Sequence, residues 1–435
     1  MKPRYLFGSF MLNPNIGLLR DGQLVHLAPK ELALLELLVM NAGNVVSHRQ
    51  IEATVWPRQL VNYSSTPRCI SSLRQRLGGP RNQFIQTVSK RGYRIACDTR
   101  VVESDDPSLF ANYFVSASAE AFSDFMEGQR AANRHDPNQQ ARAYALFQQA
   151  VARDPGYVAA YVALADTQMY RALRGYELTQ TTLESGVAAC RSALKLNPDN
   201  VHAQCIMAWF EGVMLLQFPG ALQRLKKALS GKTEFARGFA YQSWVLRCSG
   251  DLPAALEAAK IAQRIDPHSI LHKHLHAWTL HLLNRTEEAI DRERFVLANN
   301  PRDVIALGYL GLFLSHLGEH KAALEASREA LRLSNRNPAV ATAHVHCLAH
   351  AGERQEARSL LNKLPTGTTP RAPRTLMAFG WMAVRDFDRA QQTLALARKE
   401  ACPWYAAAAW DPRAEPARGR PEFEGLFALP NEGHG

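Results

Sequence analysis

Apolar positions along the 435 residues fall into two regimes, one of mixed period and one helical. In the first hundred residues, 5–10 alternate as a strand does. Residues 18–27 set Asp21-Gly22 between apolar runs, the pair that supplies the positive φ of a tight hairpin turn. Helical spacing starts at Pro29, with Glu31 at the positive end, Gly43 at the exit and Leu32, Leu35, Leu38 and Val39 as the inner stripe. A second helix follows Ser47 as N-cap, turns Ile51, Val55 and Trp56 inward and stops at Pro57. A third runs from about Ser65 to Leu77, with Ile70, Leu73 and Leu77 facing the core. Pro67 is tolerated there because first-turn N–H groups have no intrahelical partner. Residues 85–94, IQTVSKRGYR, read as a basic β-hairpin.

Beyond about residue 120 helical spacing dominates and recurs. Ala255, Ala289, Ala323 and Ala357 stand 34 apart, as do Ala259, Glu293, Ser327 and Leu361, then Ala262, Val296, Ala330 and Leu364. Pro267 and Pro301 close their repeats at the same interval. This is the tetratricopeptide period, in which small residues let two helices approach closely. About eight units are expected between 120 and 400, stacked as a right-handed α-solenoid with a concave groove. The fold expected is therefore mainly α, an N-terminal winged helix (α+β) before a repeat solenoid. The expected divisions are 1–98 for the N-terminal domain, 99–118 for an acidic linker, 119–400 for the repeats and 401–435 for a capping segment. Trp404, Tyr405, Trp410 and Phe423 give that last segment its apolar content.

Charge changes the picture at the N-terminus. Residues 1–100 hold 14 Lys and Arg against 5 Asp and Glu, a net +9 of the chain's +11. Such asymmetry points to a polyanion partner for that segment. A helix followed by a basic hairpin is how a winged helix holds duplex DNA, the helix in the major groove and the hairpin on the backbone. The outer face of the third helix carries Arg68, Ser71, Ser72, Gln75 and Arg76, with Arg74 beside it, and the hairpin adds Thr87, Lys90 and Arg91. Ser and Gln can read base edges, whereas the arginines can hold phosphates.

These segments resemble the OmpR/PhoB-type winged helix in order and spacing: FGSF, LLRDGQLVHL, PKELALLELLVMNAG, RCISSLRQRLG and IQTVSKRGYRI. The resemblance implies an N-terminal antiparallel sheet, three helices and a C-terminal wing. It also implies binding to repeated half-sites as a tandem or symmetric homodimer. An RNA polymerase contact would lie in loop 57–64, through Arg58, Gln59, Asn62 and Tyr63. Ser89-Lys90-Arg91-Gly92 stands where the family often has Arg-Gly-x-Gly. No receiver domain precedes the winged helix, so two-component control is not expected. With the repeats, and with Arg68-Cys69-Ile70 and Trp410-Asp411-Pro412-Arg413, the chain also resembles the HilA-like invasion-gene activators. That resemblance implies activation of type III secretion or related virulence genes.

The expected groove positions are rich in aromatic, arginine and histidine residues: Arg237, Tyr241, Trp244 and Arg247, then His274, Trp278 and His281. Tyr309, His316, His346 and His350 follow. Aromatic anchors with flanking arginines suit a peptide or small ligand; packing between helices is the alternative. Histidines on such a surface would make binding change between about pH 6 and 7.5. The histidines at 272, 274 and 276 lack acidic or cysteine partners at a metal-binding spacing, so no metal is expected, nor any cofactor. Seven scattered cysteines without a Cys-x-x-Cys pair suit a reducing compartment. No signal pattern or 18-residue apolar window is present, so a cytoplasmic protein without membrane contact is expected. Phosphate-binding, zinc-protease and serine-hydrolase motifs are absent, and no enzyme is expected. The competing reading is a protein–protein scaffold or secretion-chaperone-like adaptor that binds DNA weakly and without salt dependence. Arg68, Arg74, Arg76, Lys90 and Arg91 argue against it.

Overall fold

The computed structural model describes residues 4–8, 10–13, 17–20, 23–25, 27–56, 65–78, 83–89, 91–97, 99–102, 118–132, 134, 136–231, 235–267, 269–367 and 369–428. The chain forms two compact units, Met1–Asn133 with Ala145–Ala160, and Arg134–Tyr144 with Tyr161–Gly435.

The first unit opens on an antiparallel sheet ordered β4-β3-β2-β1-β7, built from β1 (Arg4–Phe7), β2 (Phe10–Asn13), β3 (Gly17–Arg20), β4 (Gln23–Val25) and β7 (Thr99–Val102). The single strand expected over residues 5–10 is instead split. Gly8, at φ +54°, turns the chain so that Tyr5 faces Leu12 and Phe7 faces Phe10. The Asp21-Gly22 turn lies outside the described residues, but the flanking strands pair as such a turn requires, Leu19 opposite Leu24. Thr99–Val102 pairs with β1 through Tyr5↔Val101, so the sheet runs past the expected end at residue 98.

Three helices pack on this sheet: α1 (Pro29–Met40), α2 (His48–Val55) and α3 (Ser65–Leu77). Phe7, Phe10, Leu12 and Leu18 meet Leu34, Leu35 and Leu38 of α1, Ile51 and Val55 of α2, and Ile70, Leu73 and Leu77 of α3 in one core. Leu35, Leu38 and Val39 are buried as the spacing predicts, but Leu34 is fully buried in place of half-buried Leu32, and Glu31 also turns inward. The wing is the hairpin β5 (Ile85–Val88) and β6 (Gly92–Ile95), paired from Ile85↔Ile95 to Val88↔Gly92.

Eight helix pairs follow among the described residues. They are α4 (Ala119–Ala132) with α5 (Pro137–Arg153), α6 (Val158–Arg174) with α7 (Thr179–Leu196), and α8 (Val201–Trp209) with α9 (Phe218–Leu229). Then come α10 (Ala236–Cys248) with α11 (Leu252–Ile265), α12 (Ile270–Leu282) with α13 (Thr286–Asn299), and α14 (Val304–His316) with α15 (His320–Leu333). Last are α16 (Pro338–His350) with α17 (Arg354–Lys363), and α18 (Arg374–Ala383) with α19 (Phe387–Lys399). The recurring alanines do what their size predicts: Ala255, Ala289, Ala323 and Ala357 are fully buried where the helices of a pair touch. This is a tetratricopeptide-repeat α-solenoid. Within the second unit the turn after α6 meets the segment before α18, where the Arg371 N–H donates to the Gly175 carbonyl (2.9 Å).

The segment after α19 enters the core rather than only covering the last repeat. Cys402, Tyr405 and Phe423 pack with Phe379, Trp381 and Leu394, and a short helix, α20 (Pro421–Phe427), ends the described chain. Five cysteines, Cys190, Cys205, Cys248, Cys347 and Cys402, are buried free thiols. Among the described residues no helix is long and apolar enough to cross a membrane.

Candidate nucleic-acid interface

Helix α3 presents Arg68, Ser71, Gln75 and Arg76 to solvent, since the Ile70-Leu73-Leu77 stripe holds the opposite face in the core. The other two positions are engaged within the domain. Ser72 is half-buried, and its hydroxyl donates to Glu31, whose second carboxylate oxygen accepts the Ala28 N–H at the start of α1 (2.7 Å). Ser72 thus ties α3 to α1 instead of standing with the outer residues. Arg74 donates to the Ile85 carbonyl (3.1 and 2.8 Å) and to Thr87 Oγ1 (2.8 Å). Its guanidinium fixes the wing strand to α3, and this also occupies Thr87. Burial and the Glu31 charge push the Cys69 thiol up to about 11, which keeps it protonated.

At the wing, Arg91 is exposed. Lys90 and the loop residues Arg58, Gln59, Asn62 and Tyr63 lie outside the described residues. One link escaped the sequence pattern: Val46 and Tyr93 exchange backbone hydrogen bonds (2.8 and 3.0 Å). They bring the start of α2, with exposed His48 and Arg49, beside the wing, and the His48 ring centroid lies 5.3 Å from that of Tyr93. Ser47 caps that helix through Gln50 N–H, and its free first-turn N–H groups suit a phosphate. A single isolated bridge carries no periodic signal, so only Gly92 could have hinted at it. Gly92 sits at φ +143°, and a Cβ there would fall 2.0 Å from the Val46 carbonyl oxygen. Gly92→Ala is therefore expected to destabilise the winged helix by about 2 kcal/mol or more and to weaken DNA binding. Thermal melts paired with gel shifts check this, and an unchanged melt would show the wing free of α2.

Residues 22–95 match the family described as "Transcriptional regulatory protein, C terminal". The N-terminal domain is an OmpR/PhoB-type winged helix. Over 105 residues the chain is 35% identical to the transcriptional regulator HilA of Salmonella typhimurium, covering 24% of this chain and 19% of HilA. Over 77 residues it is 42% identical to the transcriptional regulatory protein CutR of Streptomyces coelicolor, 18% of this chain and 35% of CutR. The solved DNA-binding domain of Escherichia coli CadC is 28% identical, with 23% of this chain and 98% of that chain covered at a TM-score of 0.22. The matched segment thus spans about a fifth of HilA and a third of CutR.

Most of the repeat residues expected to line an open groove are packed, whereas His316 and His350 are exposed. Arg237 pairs with Asp166 (2.5 Å), which also accepts from the Tyr241 hydroxyl and lies 3.2 Å from His202 Nε2. Burial alone would raise the Asp166 pKa, but these partners hold it well below the usual carboxylate range. Trp244 stands between Trp209 and Trp404, with centroids 6.1 and 6.2 Å away, under the Arg247 guanidinium at 4.6 Å. His274 is buried between Glu293 (2.9 Å) and Asp303 (3.3 Å). Trp278 is 3% exposed, with Tyr309 at 4.7 Å and the Arg413 guanidinium over its ring at 5.0 Å. His281 lies 5.1 Å from His316, and His346 lies 4.2 Å from His350, centroid to centroid.

The chain's own tail occupies this face. Trp404 Nε1 donates to the Leu173 carbonyl (2.9 Å), Trp410 lies against Gly250, and Arg413, held by Asp411 (2.8 and 2.7 Å), covers Trp278 and Phe379. The expected titration near neutrality does not hold for the buried histidines of this face. Burial pushes His281 down to about 3 and His346 well below its ordinary value, whereas carboxylate partners outweigh burial at His274 and lift it to about 9.

Proposed function

We propose that this protein is a cytoplasmic, sequence-specific transcription regulator that binds double-stranded DNA through α3 and the wing and catalyses no reaction. The observation that carries the reading is the exposed row Arg68, Ser71, Gln75 and Arg76, on a helix whose other face is locked into the core. The finer reading is activation of type III secretion and invasion genes, supported by the N-terminal similarity to HilA. In it, loop 57–64 contacts RNA polymerase, a homodimer occupies repeated half-sites, and the repeats bind a protein or small molecule. DNase footprinting with the full chain on its own upstream region and on nearby secretion promoters tests the assignment. Protection of repeated half-sites supports it, and uniform cleavage at saturating protein overturns it.

Helix and wing should separate in kind. Gln75→Ala is expected to relax preference at one half-site position by about 1–3 kcal/mol, as loss of a good base contact does. Arg91→Ala should weaken all sequences alike. Equal, sequence-independent losses from both would remove the outer face of α3 from the major groove.

A further inference from the structure

Beside Trp278 the repeat unit holds a cavity of about 440 Å³, within the range of small-ligand sites. Its polar lining comes from four repeats and the tail: His281 on α12, His316 on α14, His346 and His350 on α16, Arg385 after α18, and Arg413 with Glu415. Leu312, Pro412 and Pro416 supply apolar wall.

The charge balance of this lining is uneven. Arg413 is matched by Asp411, and the one lining carboxylate, Glu415, is matched by Arg418 (2.6 Å). Arg385 has no ion pair among the described residues and leaves the cavity one fixed positive charge. His346 is 6% exposed, and its Nδ1 is buried with no hydrogen-bond partner among the described residues. The sealed Nδ1 is out of reach from the cavity, so the unmatched Arg385 guanidinium, with the exposed His316 and His350 on the same wall, is what marks a place for an anion. The histidines do not form a metal site: among the described residues no group of three or more His, Cys, Asp or Glu side chains could hold an ion. Burial disfavours the protonated forms of His281 and His346, so the fixed charge rests on the arginines.

We infer that this cavity binds a small organic anion, a carboxylate or a phosphate ester. Its oxyanion meets Arg385, and its body packs on Leu312 and Trp278. The inference gives chemical content to the reading of the repeats as a ligand-binding part and rests on that reading. Because Arg413 and Pro412 belong to the tail, such a ligand would touch the repeats and the segment seated in them together.

Isothermal titration of the full chain with benzoate, inorganic phosphate and uncharged benzamide tests the site. Saturable binding of benzoate or phosphate, with none of benzamide, is expected. Preference between the two anions tells a carboxylate ligand from a phosphate ester. Arg385 is exposed, so Arg385→Gln should keep the melting temperature yet weaken anion binding about tenfold or more, and Arg385→Glu should abolish it. Absence of saturable binding of either anion up to about 10 mM, or unchanged affinity in Arg385→Glu, overturns the inference. Footprinting on the same samples keeps the two readings apart. Lost protection with retained anion binding would overturn the DNA assignment alone, and the reverse would overturn the cavity alone.

Discussion

DNA affinity of the full chain is expected to fall about 500-fold between roughly 50 and 200 mM monovalent salt. The first hundred residues carry +9, and Arg49, Arg68, Arg76 and Arg91 are exposed on the helices and wing. Each neutralised phosphate releases condensed counterions, so about five contacts give a log–log slope near −4.5. Gel-shift titrations over a salt series measure the slope directly, and a value near zero would sink the assignment to DNA. The structure sharpens which arginines set it. Arg76→Ala should make the slope shallower by about one and leave the fold intact. Arg74→Ala should chiefly loosen the wing, because Arg74 spends its donors on the Ile85 carbonyl and Thr87. A protein that lost slope with Arg74→Ala but kept its melting temperature would reverse these roles.

That distinction shows where sequence reading ends. The helices, the wing and the 34-residue period were legible because burial imposes regular spacing, and Ile70, Leu73 and Leu77 face inward as the spacing predicts. Ser72 and Arg74 were misplaced because helical spacing gives an angle around the axis, not a partner. Their partners, Glu31 and Ile85, stand 41 and 11 residues away. Glu31 at the start of α1 was readable as a favourable charge near a helix N-terminus. That it also receives Ser72 was not. The filling of much of the groove was illegible for a different reason. Residues such as Trp244 and Trp278 have the same pattern whether they await a partner or meet one in the same chain. The covering segment, Trp404 to Arg413, is irregular and carries no periodic signal of its destination. Its density of tryptophan, proline and paired charge was the available clue. Such residues after a repeat array need an apolar surface to lie on.

The repeat unit is expected to lose stability as pH rises from about 6.5 to 9, and one buried cluster accounts for a defined share. His274 is 3% exposed on its side chain and Glu293 is fully buried, with Nδ1 to Oε2 at 2.9 Å, while Asp303 lies 3.3 Å from Nε2. Burial opposes a charged imidazole, but hydrogen bonds and attraction from Asp303 and Glu293 win and raise its pKa to about 9. A pKa raised on folding stabilises the native state fully below the unfolded value, about 6.5, and the contribution is gone once pH passes the folded value. A shift of this size corresponds to roughly 3 kcal/mol. It needs no large discount for solvent screening, because both partners are buried. Other groups titrate over the same range, so the informative quantity is the difference between the wild type and His274→Gln. The variant's melting temperature should lie well below that of the wild type at pH 6.5 and approach it by about pH 9.5. Glu293→Ala should be costlier than most single changes, about 3–5 kcal/mol, because it removes one partner of a buried ion pair and leaves the other uncompensated. Glu293 occupies the position that Ala259, Ser327 and Leu361 hold in neighbouring repeats, where an uncharged residue suffices. The charge there thus belongs to the His274 pair and not to the repeat. Restoring the neutral pattern on both sides with Glu293→Ser and His274→Leu should recover much of the loss and flatten the pH dependence. A double variant as unstable as Glu293→Ala alone would show that the cluster's cost lies in packing rather than in charge.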